Sequence, residues 1–413
     1  MSINVIRQRG ISVTPRERFK AICRFERGND PFFFGLAAWN EALDRWQAEG
    51  MPVENLENMK QVNMLLKGRQ DEVEAIPPVG AIFGMGKCGN PPWVVAIDPI
   101  FERTVLEDDG QHVVQVDYDG SVVKRNSSHD DTIPQTLEYP VKDRKTWIEF
   151  KRRLDPFSPG RWPAGWETMS EEKLSFPVKP EHDGRHWEKR DFPLGMNLLS
   201  LYGNPRNYMG VVNLSLTIYD DIKLVEEMMD HQAYLAYEML KRVFDAGITL
   251  EWVWIWEDMC FNKGPLVSPE FVKKYMVPRY RKVVDLLREG GVDALILDCD
   301  GNIEELLPIW VDCGINATYP LECAAGMDAR KLRKKFGNNL IMIGNIDKRA
   351  LAAGKEQIDE ELAKVRELLR CGGYFPNVDH HIPPDVPYEN LVYMINEIRK
   401  MSDYPDTRRQ IRL

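Results

Sequence analysis

Val292-Asp293-Ala294-Leu295-Ile296-Leu297-Asp298-Cys299-Asp300-Gly301-Asn302 is a short apolar run that stops at two carboxylates, a glycine and a cap-forming asparagine. Its length and boundaries predict a buried strand over Val292–Leu297. The same cycle surrounds it. Thr249 to Trp256 alternates Trp252, Trp254 and Trp256 against Val253 and Ile255 and ends at Glu257-Asp258. Ser268-Pro269-Glu270 then supplies an N-cap with proline at the first helical position, and that helix should run to Glu289 and stop at Gly290-Gly291. After Asp300, Asn302 with Glu305 reads as a capping-box-like start of a helix ending at Gly314. Strands at Asn316–Pro320, Leu340–Ile343 and Tyr374–Val378 follow, with helices at Asp328–Phe336, between Asp347 and Cys371, and at Pro387–Met401. Upstream, Leu194–Leu201 reads as a strand and Asp221–Ala246 as a helix.

Strands alternating with amphipathic helices specify a parallel sheet. The fold class expected is α/β, a (β/α)8 TIM barrel with an N-terminal helical extension and an inserted β-hairpin and loop excursion. Pro31–Gly35 (PFFFG) is the candidate first strand, residues 41–66 read as helical, residues 99–127 as a hairpin or meander, and the Trp- and Pro-rich stretch 143–192 as an irregular excursion over the barrel mouth. The expected division is an extension over 1–190, the main barrel units over 191–402 and a tail over 403–413.

The bulk figures agree with a soluble enzyme. The chain has 413 residues, 43% hydrophobic and 29% charged, with net charge −10 and no Lys/Arg run. Nucleic-acid binding and anionic-membrane binding are poor readings of that charge. No apolar stretch reaches the roughly 18–20 residues of a membrane helix. The N-terminal stretch has no signal-peptide pattern, and the seven scattered cysteines include no CxxC, so free thiols in a reducing cytoplasm are expected.

In a (β/α)8 barrel, chemistry sits just past the strand C-termini. Those positions here hold Glu257-Asp258, Asp298-Cys299-Asp300-Gly301-Asn302, Glu322, Asn345 with Asp347, and Asp379-His380-His381. Asp300, Asn302 and Asp347 can equally be helix caps, and Glu322 a solvated loop residue. Asp298 ends a buried strand, where an unpaired carboxylate is costly. Asp298 and Asp300 share a face, and with His380 they suit either a divalent-metal site or acid–base chemistry. His231 reads as a surface helix residue. No GxxxxGK[ST], GxGxxG, GxSxG or HExxH appears, which argues against nucleotide-driven chemistry and serine hydrolysis.

At Trp256-Glu257-Asp258-Met259, Asn262 to Glu270, Asp300-Gly301-Asn302, Ile343 to Asp347, Gly372 to Pro384 and Thr14 to Phe19, the chain resembles the uroporphyrinogen decarboxylase superfamily. The resemblance implies a barrel with its cleft at the strand C-termini. True decarboxylases carry an arginine-rich loop after the first strand, whereas Gly35-Leu36-Ala37-Ala38-Trp39-Asn40 has no arginine. The other branch resembles cobamide-dependent methyltransferases, whose zinc is held by a His-x-Cys pair and a later cysteine. These positions fall on Asp298, Asp300 and His380, with Glu257, Cys260 or Cys299 able to complete the coordination.

Such a harder donor set favours oxygen-bound partners. The expectation is therefore methyl transfer from a methoxy donor to a cobamide carried by a separate corrinoid protein, with zinc as Lewis acid. Glu257, Asp298 and His380 are the expected catalytic residues. Asn302, Asn345 and Asp347 are expected at the cofactor, and Trp39, Trp256 and Glu322 at a small methylated substrate, which can be methoxyaromatic. Trp252 and Trp254 are further candidates for an apolar wall. Decarboxylation of a small acid and methyl transfer to a thiol are the alternatives, and a homodimer is an open assembly.

Overall fold

The computed structural model describes residues 14–27, 31–34, 36–52, 95–127, 133–162, 190–198 and 200–401. The chain enters through α1 (Pro15–Cys23), capped by Thr14 in a complete capping box with Glu17, and α2 (Asn40–Ala48). A four-stranded antiparallel meander follows, β1 (Thr104–Asp108), β2 (His112–Val116), β3 (Val122–Asn126) and β4 (Gln135–Glu138), one strand pair more than a single hairpin. α3 (Arg144–Phe150) then packs Trp147 and Phe150 inward. Most of the expected Trp- and Pro-rich excursion, residues 163–189, and the second half of the helix expected over 41–66 lie outside the described residues.

From Gly195 the chain settles into strand–helix alternation. β5 (Gly195–Leu198) leads to α4 (Gly203–Met209), α5 (Val211–Asp220) and α6 (Ile222–Asp245). β6 (Trp252–Trp256) is followed by a small hairpin, β7 (Cys260–Phe261) and β8 (Gly264–Pro265), and by α7 (Val277–Glu289), entered through Pro269–Phe271 and a π turn at Val272–Met276. β9 (Ala294–Asp298) leads to α8 (Leu307–Cys313), β10 (Ala317–Tyr319) to α9 (Ala329–Phe336), β11 (Ile341–Ile343) to α10 (Lys348–Ala353) and α11 (Lys355–Cys371), and β12 (Tyr374–Phe375) to α12 (Tyr388–Met401).

The six strands pair in parallel in the order β12-β11-β10-β9-β6-β5. Beyond β12, Ile382 donates its N–H to Ala37 and Trp39 donates to Ile382, and Asn377 Nδ2 donates to the Phe34 carbonyl. Residues 31–38, the expected first strand, thus run beside the last one, and the whole is a (β/α)8 TIM barrel. No pairing between 31–38 and β5 occurs among the described residues. Among them, no helix is long and apolar enough to cross a membrane.

Alternation along each strand divides the core in two. Inward residues Phe32, Phe34, Trp252, Trp254, Ala294, Ile296, Ala317, Tyr319, Ile341, Ile343 and Phe375 fill the barrel, and Phe19 of α1 plugs it from below, 5.1 Å from the Phe375 ring. Gly195 is dictated by this filling, because a Cβ there would lie 2.0 Å from the Trp252 ring. Outward residues such as Val253, Ile255, Leu295 and Leu297 meet the helices.

Two local expectations change. α8 starts at Leu307, because the Asn302 side-chain Oδ1 accepts the Glu304 N–H, so Asn302 makes a local turn and the capping box with Glu305 does not form. His231 is half-buried rather than freely solvated: its Nε2 lies 3.2 Å from the Leu154 carbonyl and its ring is edge-on to Trp147.

The bottom of the barrel is closed by charge. Glu251 is 1% exposed, accepts from Arg16 Nε (2.8 Å) and the Leu194 N–H (2.8 Å), and bonds the equally buried Arg190. Replacing one member of a buried ion pair leaves the other charge uncompensated. Glu251→Gln should therefore cost about 3–5 kcal/mol in urea denaturation, whereas Glu270→Gln on the partly exposed first turn before α7 should change stability by less than about 0.5 kcal/mol.

Candidate active site

Register builds the site. Trp256 pairs with Asp298, and Asp298 with Tyr319, so three neighbouring strands end at one level. The inward series Trp252, Trp254 and Trp256 continues to Asp258, not to Glu257. Likewise Ala294, Ile296 and Asp298 continue to Asp300, while Cys299 is fully buried on the outer side. The mouth is therefore lined by Asp258, Asp298, Asp300, Tyr319, Glu322 and His380.

Asp300 and His380 come together as expected, with Nε2 3.5 Å from Oδ1. Burial pushes the Asp300 carboxyl up to about 7, and the nearby charges of Asp258 and Glu322 add to the rise while Lys348 and Arg206 oppose it. Burial lowers His380 below the usual imidazole value, and Lys348 lowers it further. Asp298 lies lower in the barrel. Its Oδ2 accepts the Trp254 indole N–H at 2.8 Å, and burial drives its pKa well up, with Asp300 and Asp258 pushing the same way.

The expected metal triad is not assembled. Asp298 has turned one oxygen to Trp254, leaving Asp300 and His380 as a pair, and no three His, Cys, Asp or Glu side chains among the described residues form a metal-binding group. Neither thiol completes it. Cys299 Sγ accepts the Met259 N–H at 3.3 Å and Cys260 is buried beside it. The residues present therefore do not fit the expected zinc.

Glu257 proves to be an anchor. Fully buried, it accepts N–H groups from Leu201 (2.8 Å), Tyr202 (2.7 Å) and Gly203 (3.2 Å) and the Tyr280 hydroxyl at 2.5 Å. Burial raises its pKa against those four donors. With its acceptor capacity filled from the β5–α4 loop and α7, it has no lone pair facing the mouth.

The three residues expected at a cofactor are also engaged within the protein. Asn302 Nδ2 donates to Ala325 O (3.2 Å). Asn345, at φ 70, donates to Leu321 O and Met327 O and accepts from the Ala329 N–H, which fixes the loop after β11. Asp347 caps α10 through Arg349 N and pairs with the Arg349 guanidinium at 2.6 Å. Glu322 accepts the Gly301 N–H at 2.7 Å. Gly301 is required here because it has φ 80 and a Cβ would meet the Phe261 backbone at 2.6 Å. Trp39 stands edge-on to His381, whose ring stacks on His380 at 4.8 Å.

Arg206, Lys348 and Tyr319 escaped the sequence reading, and Asp258 was named only as a strand-tip position. Asp258 takes φ 39, a left-handed conformation that aspartate tolerates better than most side chains, and Arg206 of α4 holds it there. The guanidinium donates to the Asp258 carbonyl (2.6 Å), pairs with its carboxylate (2.6 Å) and covers the Trp256 ring at 4.8 Å. Lys348 Nζ is 3.9 Å from Asp379, whose buried carboxylate also accepts the Cys323 and Lys348 N–H groups. Tyr319 packs on Trp254 at 4.9 Å. Period-two parity identifies Asp258 and Tyr319, whereas nothing local marks Arg206 or Lys348.

The fold and this mouth define a (β/α)8 barrel with an acid-rich site at the strand C-termini. Residues 201–401 match the family model for uroporphyrinogen decarboxylase (URO-D). A Legionella pneumophila uroporphyrinogen decarboxylase is 23% identical over 256 residues, 57% of this chain and 69% of that protein, and the Danio rerio enzyme is 28% identical over 145 residues, 34% and 37%. A methyltransferase from Methanosarcina mazei shares the fold with a TM-score of 0.52 and 15% identity, over 94% of this chain and 99% of its own. The second half of the chain is thus similar to uroporphyrinogen decarboxylases, and the chain resembles a methyltransferase in fold.

Lys348 pulls both Asp300 and His380 down, the first by stabilising a carboxylate and the second by disfavouring an imidazolium. Lys348→Met should raise both titrations together, read by carboxyl carbon-13 and imidazole proton NMR. Opposite movements would show that Lys348 acts through the fold rather than through its charge.

Proposed function

We propose that this chain is a methyltransferase that takes a methyl group from an oxygen and delivers it to a corrinoid on a separate protein. The Asp300–His380 pair is the observation that carries the reading. An ether cleaved by loss of its methyl leaves as an alkoxide or phenoxide unless a proton arrives, and a carboxyl poised near neutrality is a suitable donor. The absence of an arginine in the described part of the loop after the first strand argues against a polyacidic tetrapyrrole substrate. The fold likeness to a methyltransferase agrees with this choice.

A docked reduced corrinoid supplies the nucleophile that accepts the methyl group. Asp300 in its neutral form gives its proton to the departing oxygen, which keeps the C–O bond electrons and leaves as a hydroxyl. His380, 3.5 Å away and partly open to solvent, returns a proton to Asp300. Burial favours the protonated form of Asp298, which is tied to Trp254 and so adds little negative charge below the leaving oxygen. Trp39 and Trp256 give the mouth an apolar, aromatic rim for a methoxylated substrate, and Glu322 holds the Asp300 loop through Gly301.

The test mixes the protein with cob(I)alamin and a panel of methoxyarenes and follows methylcobalamin by absorbance. Turnover should fall as pH rises through about 7, because the proton donor is the neutral acid. Asp300→Asn should slow transfer by about 100-fold or more. No methylcobalamin from any donor, or a rate indifferent to Asp300→Asn, would overturn the reading.

A further inference from the structure

We propose that the site selects an uncharged aromatic oxygen donor and rejects a carboxylated one, and that Tyr319 supplies the hydrogen bond that recognises the oxygen. This deepens the methyl-transfer reading and rests on it for the location of the site. Three observations carry it.

First, the cations at the mouth are already matched. Arg206 gives one donor to the Asp258 carbonyl and another to its carboxylate, and Lys348 lies against Asp379. Among the described residues, Asp300 and Glu322 have no ion-paired cation other than His380 at Asp300, so an incoming carboxylate meets like charge, which is unfavourable when desolvated.

Second, Tyr319 is 6% exposed, its side chain is on the inward face with Ala317, and its hydroxyl has no hydrogen-bond partner among the described residues. The charged groups that act on it are Asp298, Asp300, Asp379 and Glu322, so the hydroxyl lies among the strand-tip carboxyls. The hydroxyl oxygen is not sealed from solvent, so a ligand oxygen entering the mouth can replace water as its partner.

Third, the floor is aromatic. Tyr319, Trp254 and Phe34 pack in sequence, their rings tilted against one another at 4.9 and 5.7 Å between centroids, an aromatic surface that suits a ring.

Calorimetry at pH 7.5 without corrinoid tests this with 2-methoxyphenol and 4-hydroxy-3-methoxybenzoate. The neutral phenol should bind at least about tenfold tighter. Asp258→Asn releases Arg206 and should raise benzoate affinity about tenfold while changing that of the phenol less than about twofold. Tyr319→Phe, which keeps the ring packing, should weaken the phenol about fivefold, the value of one hydrogen bond. Circular dichroism of both variants confirms folding. Equal affinities, a preference for the benzoate, no binding of either probe, or unchanged phenol binding by Tyr319→Phe overturns the inference. Selectivity without methyl transfer overturns only the preceding reading.

Discussion

Everything at the mouth depends on the parallel register of β6, β9 and β10. Trp256 opposite Asp298 opposite Tyr319 puts three chemically different side chains on one level and one face. The period of a strand is two, so a slip of one residue in β9 would send Asp298 and Asp300 to the helix layer and bring Cys299 inward. The apolar content of the strands prevents that slip. Leu295 and Leu297 are needed between sheet and helices, and Ala294 and Ile296 inside the barrel. Packing of the lower barrel therefore sets the chemistry of the upper one.

Crowding is the second consequence. Strand tips far apart in sequence bring Asp258, Asp298, Asp300 and Glu322 within reach of one another, and burial deprives them of water. Asp298 and Asp300 respond by holding protons to higher pH, Asp300 to about 7. Their separate environments set the order: Asp298 lies deep beside an indole N–H, whereas Asp300 sits higher, near Lys348 and Arg206. One pair of identical residues thus occupies two different electrostatic environments.

Most of the barrel was legible in the sequence because its evidence is local. Apolar runs ending in turn residues, and helices bounded by Ser268, Asp328, Gly314 and Gly337, declare themselves within about ten residues. The meeting of Asp300 with His380 was legible for the same reason, since both follow strand ends. Glu257 was misread because adjacency to Asp258 hid the parity of the strand: the even-numbered tryptophans point to 258. The metal triad was misread because a distant indole N–H competes for Asp298. Arg206 was invisible because its partners, Asp258 and Trp256, lie about 50 residues away and are met only through packing. Asn302 and Asp347 follow the ordinary preferences of turn and cap residues, a use open to them from the start.

Glu257 has a wider implication. One carboxylate gathers three amide groups of the loop after β5 and a hydroxyl from α7, so the segments bearing Arg206 and Asp258 are fastened to a common rivet beneath the mouth. Mutational drift can then rewrite what projects above it without loosening the chassis.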